Sequence, residues 1–428
     1  GRVNYSFDDR YLVTLNLRYE GSSKFYSDRW GLFPGISAGW RISSEKFMRN
    51  VRAVDDLKLR VSYGTTGNQG FNTNTAYRMY SKDSWTYYNG QWMTVYGLMH
   101  NQNRDMKWEI KKEFDVGLDF SLFNRRLNGR MDYFSRKIED AIYSGIPVAS
   151  PPAVYATSTV NIGDITNKGF EFELNGRVVD TKDWTFDTSL VGSFVGKSRL
   201  EGMAKDTHME FQAMPHGGGS AVRIFGGQEI GRYFLYRFAG VREEDGTPMI
   251  YSKDNKVIPY ASGTDEDRVQ TGNGLPKAVL SWNNTVRYRN WDLNLFFRSW
   301  LGQDVYNVTD MIQGVNCKIT EGQNLLRTAY RRNKAITNTD RLMLLDYWLE
   351  KGDFLKLDAV TLGYTLPRNK IKYVEKLRCY FTVRNVCTLT GYSGLDPEVN
   401  VNGLAPGFEG MSQYPRTRSF ILGIEIGF

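Results

Sequence analysis

Three histidines, His100, His208 and His216, are the residues most able to do general-base or metal chemistry in this chain. A nucleophilic site needs a base and an orienting group within hydrogen-bond reach. Zinc needs three or four ligands at characteristic spacings. No Ser/His/Asp set and no ligand-spaced set surrounds these histidines, and all three fall in segments that read as loops. Gly217-Gly218-Gly219-Ser220 lacks the lysine and the following helix of a phosphate-binding loop, so it reads as a loop tip. Glu243-Glu244-Asp245-Gly246 and Asp265-Glu266-Asp267 are the candidate cation loops. They lack the alternating acids and closing glutamate of a calcium loop. A solvated turn is therefore the stronger reading and calcium the weaker one. Cys317, Cys379 and Cys387 form no CxxC, and the last two lie too far apart on one extended segment to bridge. The sequence thus predicts no catalytic residue, no metal and no cofactor.

Binding chemistry is easier to find. Residues 77–96 hold Trp85 and Trp92 together with Tyr77, Tyr80, Tyr87, Tyr88 and Tyr96. Aromatic faces stack on sugars, and amphipathic Tyr and Trp suit protein interfaces. Three uses compete for this segment: packing among its own side chains, contact with a partner protein, and direct contact with a substrate. The formal charge is +8, but Lys and Arg are interleaved with 47 acids. That pattern fits a solvated surface rather than a nucleic-acid partner.

The elements that must carry these residues are strands. The chain has 42 Gly against 12 Pro and is 14% aromatic, a mix that favours strands and tight turns. No run of 18 apolar residues is present, which argues against a helical membrane span. Trp108, Ile110, Phe114, Val116, Leu118, Phe120 and Leu122, with Lys112 the one exception on their face, alternate with Glu109, Lys111, Glu113, Asp115, Gly117, Asp119 and Ser121. One apolar and one polar face with a period of two is the pattern of a strand between two environments. The same alternation recurs along the chain and ends on Phe420, Leu422, Ile424, Ile426 and Phe428. A long row of apolar side chains without a soluble core to cover it suits a closed membrane barrel.

Thirteen membrane strands are predicted near 2–7, 11–20, 30–42, 56–64, 107–122, 127–138, 167–179, 184–196, 277–288, 291–301, 353–366, 377–388 and 415–428. Tyr233–Val241 and Pro248–Tyr251 are expected to form a hairpin within a long loop. Short links, such as Asp8-Asp9-Arg10 and Arg289-Asn290, alternate with long ones near 64–106, 197–276, 302–350 and 389–414. A porin-like barrel segregates loop length in this way, with short turns periplasmic and long loops extracellular. Arg60, Glu109, Asp119, Glu171, Asp187 and Arg298 fall on the polar, lumen-facing side. Bacterial barrels have an even strand count, so thirteen predicts a natural end at Phe428 and a break before Gly1. The chain also begins without Met or an export signal.

Arg18-Tyr19-Glu20-Gly21-Ser22-Ser23-Lys24-Phe25, Trp30-Gly31-Leu32-Phe33-Pro34, Ser37-Ala38-Gly39-Trp40-Arg41-Ile42 and Leu57-Lys58-Leu59-Arg60-Val61-Ser62-Tyr63-Gly64 resemble the SusC/RagA group of TonB-dependent outer-membrane transporters. Phe354-Leu355-Lys356-Leu357 and Tyr414-Pro415-Arg416-Thr417-Arg418-Ser419-Phe420 carry the resemblance toward the end. The resemblance implies an all-β, 22-stranded barrel around an N-terminal plug. Residues 1–428 would be its C-terminal part, without the plug and first strands. It further implies a SusD-like lipoprotein lid, energy from the TonB complex, and an oligosaccharide or peptide cargo. The aromatic segment would then meet either the lid or the cargo. The final strand resembles the signal read by the outer-membrane assembly machinery. A passive porin-like channel and a non-transporting surface binding protein are the alternatives.

Overall fold

The computed structural model describes residues 1–148, 153–203, 208–214, 219–316, 322, 324–337, 344–367, 373–410 and 413–428. His216, Cys317 and the first two glycines of the 217–220 run lie outside them.

Among the described residues, thirteen strands follow one another in a single antiparallel sheet. They are β1 (Arg2–Phe7), β2 (Tyr11–Gly21), β3 (Trp30–Arg41), β4 (Val54–Asn68), β5 (Glu109–Leu122), β6 (Leu127–Glu139), β7 (Asp164–Asp180), β8 (Trp184–Val195), β9 (Ala278–Tyr288), β10 (Trp291–Leu301), β11 (Phe354–Thr365), β12 (Lys376–Thr390) and β13 (Ser419–Gly427). A short fourteenth strand, Arg199–Glu201, adds to the outer end of β7. All thirteen predicted strands are present. The bounds differ most at β4, which runs on through Thr65-Thr66-Gly67-Asn68, and at β13, which starts four residues later than expected.

Register shows why the sheet has two chemically distinct faces. Tyr5 pairs with Val13, Val13 with Ala38, and so on strand to strand through Val61, Val116, Tyr133, Phe170 and Phe194. Directly paired residues share a face, so this row is apolar across eight strands. A second row, Trp184, Tyr288, Trp291 and Tyr364, forms an aromatic belt near the short turns. Its ring centroids stand 4.4 Å and 4.8 Å apart at Trp184–Tyr288 and Trp291–Tyr364. Polar groups on this face are satisfied within the wall, as lipid requires. Trp282 Nε1 donates to Thr188 Oγ1 at 2.8 Å, and Thr188 Oγ1 donates to Asn284 Oδ1 at 2.8 Å.

Connections segregate by end as expected. Residues 8–10, 42–53, 123–126, 181–183, 289–290 and 366–375 join strands at one end. Residues 22–29, 69–108, 140–163, 196–277, 302–353 and 391–418 join them at the other. Tight turns at the first end use left-handed residues, with positive φ at Asp8, Asp9, Asn124 and Arg289.

The long loops fold rather than dangle. Tyr233–Val241 and Pro248–Tyr251 form the predicted hairpin, which belongs to a six-stranded loop sheet. Leu200, Tyr233, Leu235, Ile250, Tyr306, Leu345 and Trp348 are fully buried in one hydrophobic cluster, to which Ala141, Ile162 and Leu404 bring two further loops, four in all. The Tyr233 hydroxyl ties two further points together, its single O–H shared between the carbonyls of Asp304 (2.9 Å) and Gly407 (2.8 Å). Burial and nearby Asp304 push this phenol well above its ordinary pKa, so it stays a donor.

Candidate functional site

The polar face of the wall is built from crossed ion pairs. Arg60 on β4 donates twice to Asp119 (2.8 and 2.9 Å) and once to Asp132 (2.7 Å) on β6. Its path to Asp132 passes over Gly117. A side chain there would overlap Asp132 Oδ1 and lie 2.5 Å from Arg60 Nη2. Arg378 reaches Asp292 in the same manner (2.6 and 3.0 Å), over Gly363. Two glycines thus keep the wall thin where a guanidinium must cross a strand.

The other predicted polar-face residues each find a protein partner. Glu109 accepts from Asn68 Nδ2 and from the Ile142 amide, both at 2.8 Å. Asp187 accepts from Arg177 (2.8 Å) and Arg287 (3.1 Å). Ser193 Oγ lies 3.5 Å from Glu171. Further along, Asn294 donates to Asn283 and Thr285, and Thr361 meets Thr382 at 2.8 Å. Most of the polar face is therefore hydrogen-bonded within the wall, with Thr185 Oγ1 a buried exception.

Arg298 anchors the densest cluster. It donates to Glu398 (2.8 and 3.2 Å) and to Asp358 (3.1 Å). Lys356, with its side chain 1% exposed, reaches Glu398 at 3.0 Å and Asp396 at 3.4 Å. Arg416 reaches Asp396 at 3.0 Å and Glu398 at 2.9 Å. Three cations meet three acids, and the loop 391–418 is strapped inward onto β10 and β11. Burial works to raise the Glu398 carboxyl, but its bonds to Arg298 and Lys356 outweigh this and hold it below the ordinary range. Sequence alternation marked Arg298; Lys356 stands on the polar side of its strand between Leu355 and Leu357 but was not singled out, and Asp396 and Glu398 lie in a loop with no period to flag them.

The aromatic segment is a separate hairpin, Tyr80–Tyr88 paired with Gln91–Leu98. Asn89 and Gly90 turn it, with φ of 49° and 78°. That dipeptide between strand-forming runs is a strong hairpin signal, and it stood in the sequence unread. A bulge between Lys82 and Ser84 shifts the register. Strand alternation then places Tyr80, Lys82, Trp85, Tyr87, Trp92 and Tyr96 on one face and Tyr88 with Met93 on the other. Tyr80, Trp85, Tyr87, Trp92 and Tyr96 are each more than half exposed. Within the segment Tyr87 packs on Trp92 and Lys82 on Trp85, while Tyr77 is held from outside it, its hydroxyl donating to the Ser23 carbonyl at 2.8 Å.

The remaining candidates have local partners. His100 Nε2 sits between the carbonyls of Asn74 and Tyr77 at the base of the hairpin. His208 lies against Phe225, 5.5 Å between centroids. Asp245 is held well below the usual carboxylate range by the Arg242 guanidinium. Asp265 is shared by Arg223 (2.6 Å) and Arg268 (3.2 Å), and Asp267 caps its own turn through Thr264. These acids are engaged by the protein itself. Cys379 and Cys387 are free thiols on β12. On β13, Phe420, Leu422, Ile424 and Ile426 share the apolar face and are more than half exposed, and Phe428 follows them.

An antiparallel wall with an apolar, aromatic-belted outer face, a charged inner face and long loops at one end is the wall of a transmembrane β-barrel. The particular family follows from comparison. Residues 1–386 match the model for the family described as TonB dependent receptor-like, beta-barrel, and the chain belongs to that family of outer-membrane barrels. It is similar along its whole length to the TonB-dependent receptor SusC of Bacteroides thetaiotaomicron, 29% identical over 43% of that protein. It is likewise similar to TonB-dependent receptor P3 of Formosa agariphila, 27% identical over 45%. Its fold matches the RagAB peptide importer in the closed-closed state with a TM-score of 0.82, at 21% identity, over the whole chain and 47% of that chain. The chain spans less than half the length of the relatives it matches.

Proposed function

We propose that the protein works as a TonB-dependent importer, taking up an oligosaccharide or a peptide through the outer membrane. In this reading residues 1–428 supply the C-terminal barrel wall, with the remaining strands and a plug supplied by the rest of the protein. Arg60, Glu109, Asp119, Glu171, Asp187 and Arg298 line the lumen or touch the plug. A SusD-like lipoprotein closes the outer mouth, and the TonB complex releases cargo by acting on the plug. The β13 side chains Phe420, Leu422, Ile424, Ile426 and Phe428 serve barrel assembly.

The observation that carries the reading is the family match together with a polar wall most of whose lumen-side charges, Arg60, Asp119, Asp187 and Arg298 among them, are paired within the protein. Such a wall offers passage without a strongly charged trap. The test is uptake by cells carrying the full-length protein, with and without TonB. Uptake should vanish without TonB. Undiminished uptake would mean a passive channel, and surface binding without uptake a non-transporting receptor.

A further inference from the structure

We propose that one face of the 80–98 hairpin is a carbohydrate-binding platform at the long-loop end of the wall. It rests on the uptake reading only for the origin of its ligand. The hairpin contributes none of its rings to the buried clusters. Two-stranded hairpins are marginal in water, and exposed aromatic faces add nothing to such a hairpin's own core. Five rings nevertheless stand on one side, and a bulge sets Tyr80 and Lys82 on that side with Trp85. Trp92 meets Tyr87 edge-on at 5.3 Å. Lys82 Nζ sits 3.9 Å over the Trp85 ring, with no carboxylate at ion-pair distance among the described residues.

The chemistry of this face selects the ligand. Among the described residues, the hydroxyls of Tyr80, Tyr87 and Tyr96 and the indole N–H groups of Trp85 and Trp92 have no protein hydrogen-bond partner. Every ring thus offers both an apolar plane and an open polar tip. Aliphatic filler is nearly absent: Met93 and Val95 lie on the opposite face, and only Leu98 at the base shares the aromatic side. A protein partner would look for anchors inside a desolvated apolar pocket. A pyranose ring is the better fit. Its C–H face lies on an aromatic plane, its hydroxyls meet the Tyr and Trp tips, and an acidic substituent can reach Lys82.

The test is binding of short neutral, uronic-acid and sulfated oligosaccharides, with short peptides as comparators, to the full-length protein in detergent and with its lipoprotein partner bound. Trp85→Ala and Trp92→Ala should each weaken oligosaccharide binding roughly tenfold. Tyr88→Ala, on the opposite face, should leave it unchanged, and Lys82→Gln should weaken acidic oligosaccharides only. Three results would overturn the proposal: no oligosaccharide binding that depends on the aromatic face, equal loss with Tyr88→Ala, or loss of the lipoprotein complex in place of sugar binding. Deleting TonB should leave binding intact. Platform binding that persists alongside TonB-independent uptake would sink the import reading and spare this one.

Discussion

Replacing Glu398 by Gln keeps the shape of the side chain and removes the charge at the centre of the strap. Arg298 would keep Asp358 at 3.1 Å and Arg416 would keep Asp396 at 3.0 Å. The cost therefore falls on Lys356, which is 1% exposed and would be left with Asp396 at 3.4 Å. Breaking a buried ion pair outright costs about 3–5 kcal/mol, and the surviving partner reduces this to roughly 2–3 kcal/mol. That is a local opening of loop 391–418 about 30- to 150-fold more frequent. Amide hydrogen exchange of the loop in detergent reads it directly. Lys356→Met should be nearly neutral, within about 1 kcal/mol, because it removes the buried charge and fills its space. The double variant should be less open than Glu398→Gln alone, since no unpaired ammonium remains. Exchange unchanged in Glu398→Gln, or a double variant worse than the single, would refute the account of the strap.

Acid should act on the same joint. The Glu398 carboxyl is held below its ordinary value, so its contribution is complete above the unfolded value, about pH 4.3. That contribution is lost as pH falls through the lower folded value, so the loop should stay protected at neutral pH and begin to exchange only below about pH 4. Gly117→Ala should force Arg60 away from Asp132 and lower the barrel's melting temperature in detergent, by a strain of about 1–3 kcal/mol. Ile424→Lys, on the apolar face of β13, should cost about 2–4 kcal/mol if it meets mid-bilayer, read as reduced folded protein in urea titrations into lipid. Gly90→Val, at φ 78°, should disorder the hairpin turn and alter tryptophan fluorescence while leaving the melting temperature of the wall unchanged.

How much of this was legible follows from what each residue faces. A wall strand separates two environments, so every second side chain is constrained, and all thirteen strands stand out from their alternation. The loop layer has no such constraint. Ser220–Phe225 is buried along most of its length, so it shows no alternation. Tyr233–Val241 was found because its apolar run is long and breaks at a Gly-containing turn. Arg60, Asp119 and Arg298 were legible as inward-facing, but which groups they pair with was not. Glu398 lies 100 residues from Arg298, and nothing local ties an Asp-Pro-Glu segment to a distant strand. The aromatic hairpin was legible in composition and missed in shape; its bulge, which brings Tyr80 and Lys82 onto the side of Trp85 and Tyr87, has no sequence signature beyond Lys82-Asp83-Ser84.

The glycines beneath the crossing guanidiniums carry a consequence for descent. Arg60, Gly117 and Asp132 occupy three neighbouring strands and one volume, as do Asp292, Gly363 and Arg378. Each triplet is a single unit of inheritance: once the arginine is lost the glycine is free to drift, and while it stays the glycine is held. Among homologues, the three positions of each triplet should change together or not at all, while the paired apolar rows behind them drift freely among Val, Leu, Ile and Phe.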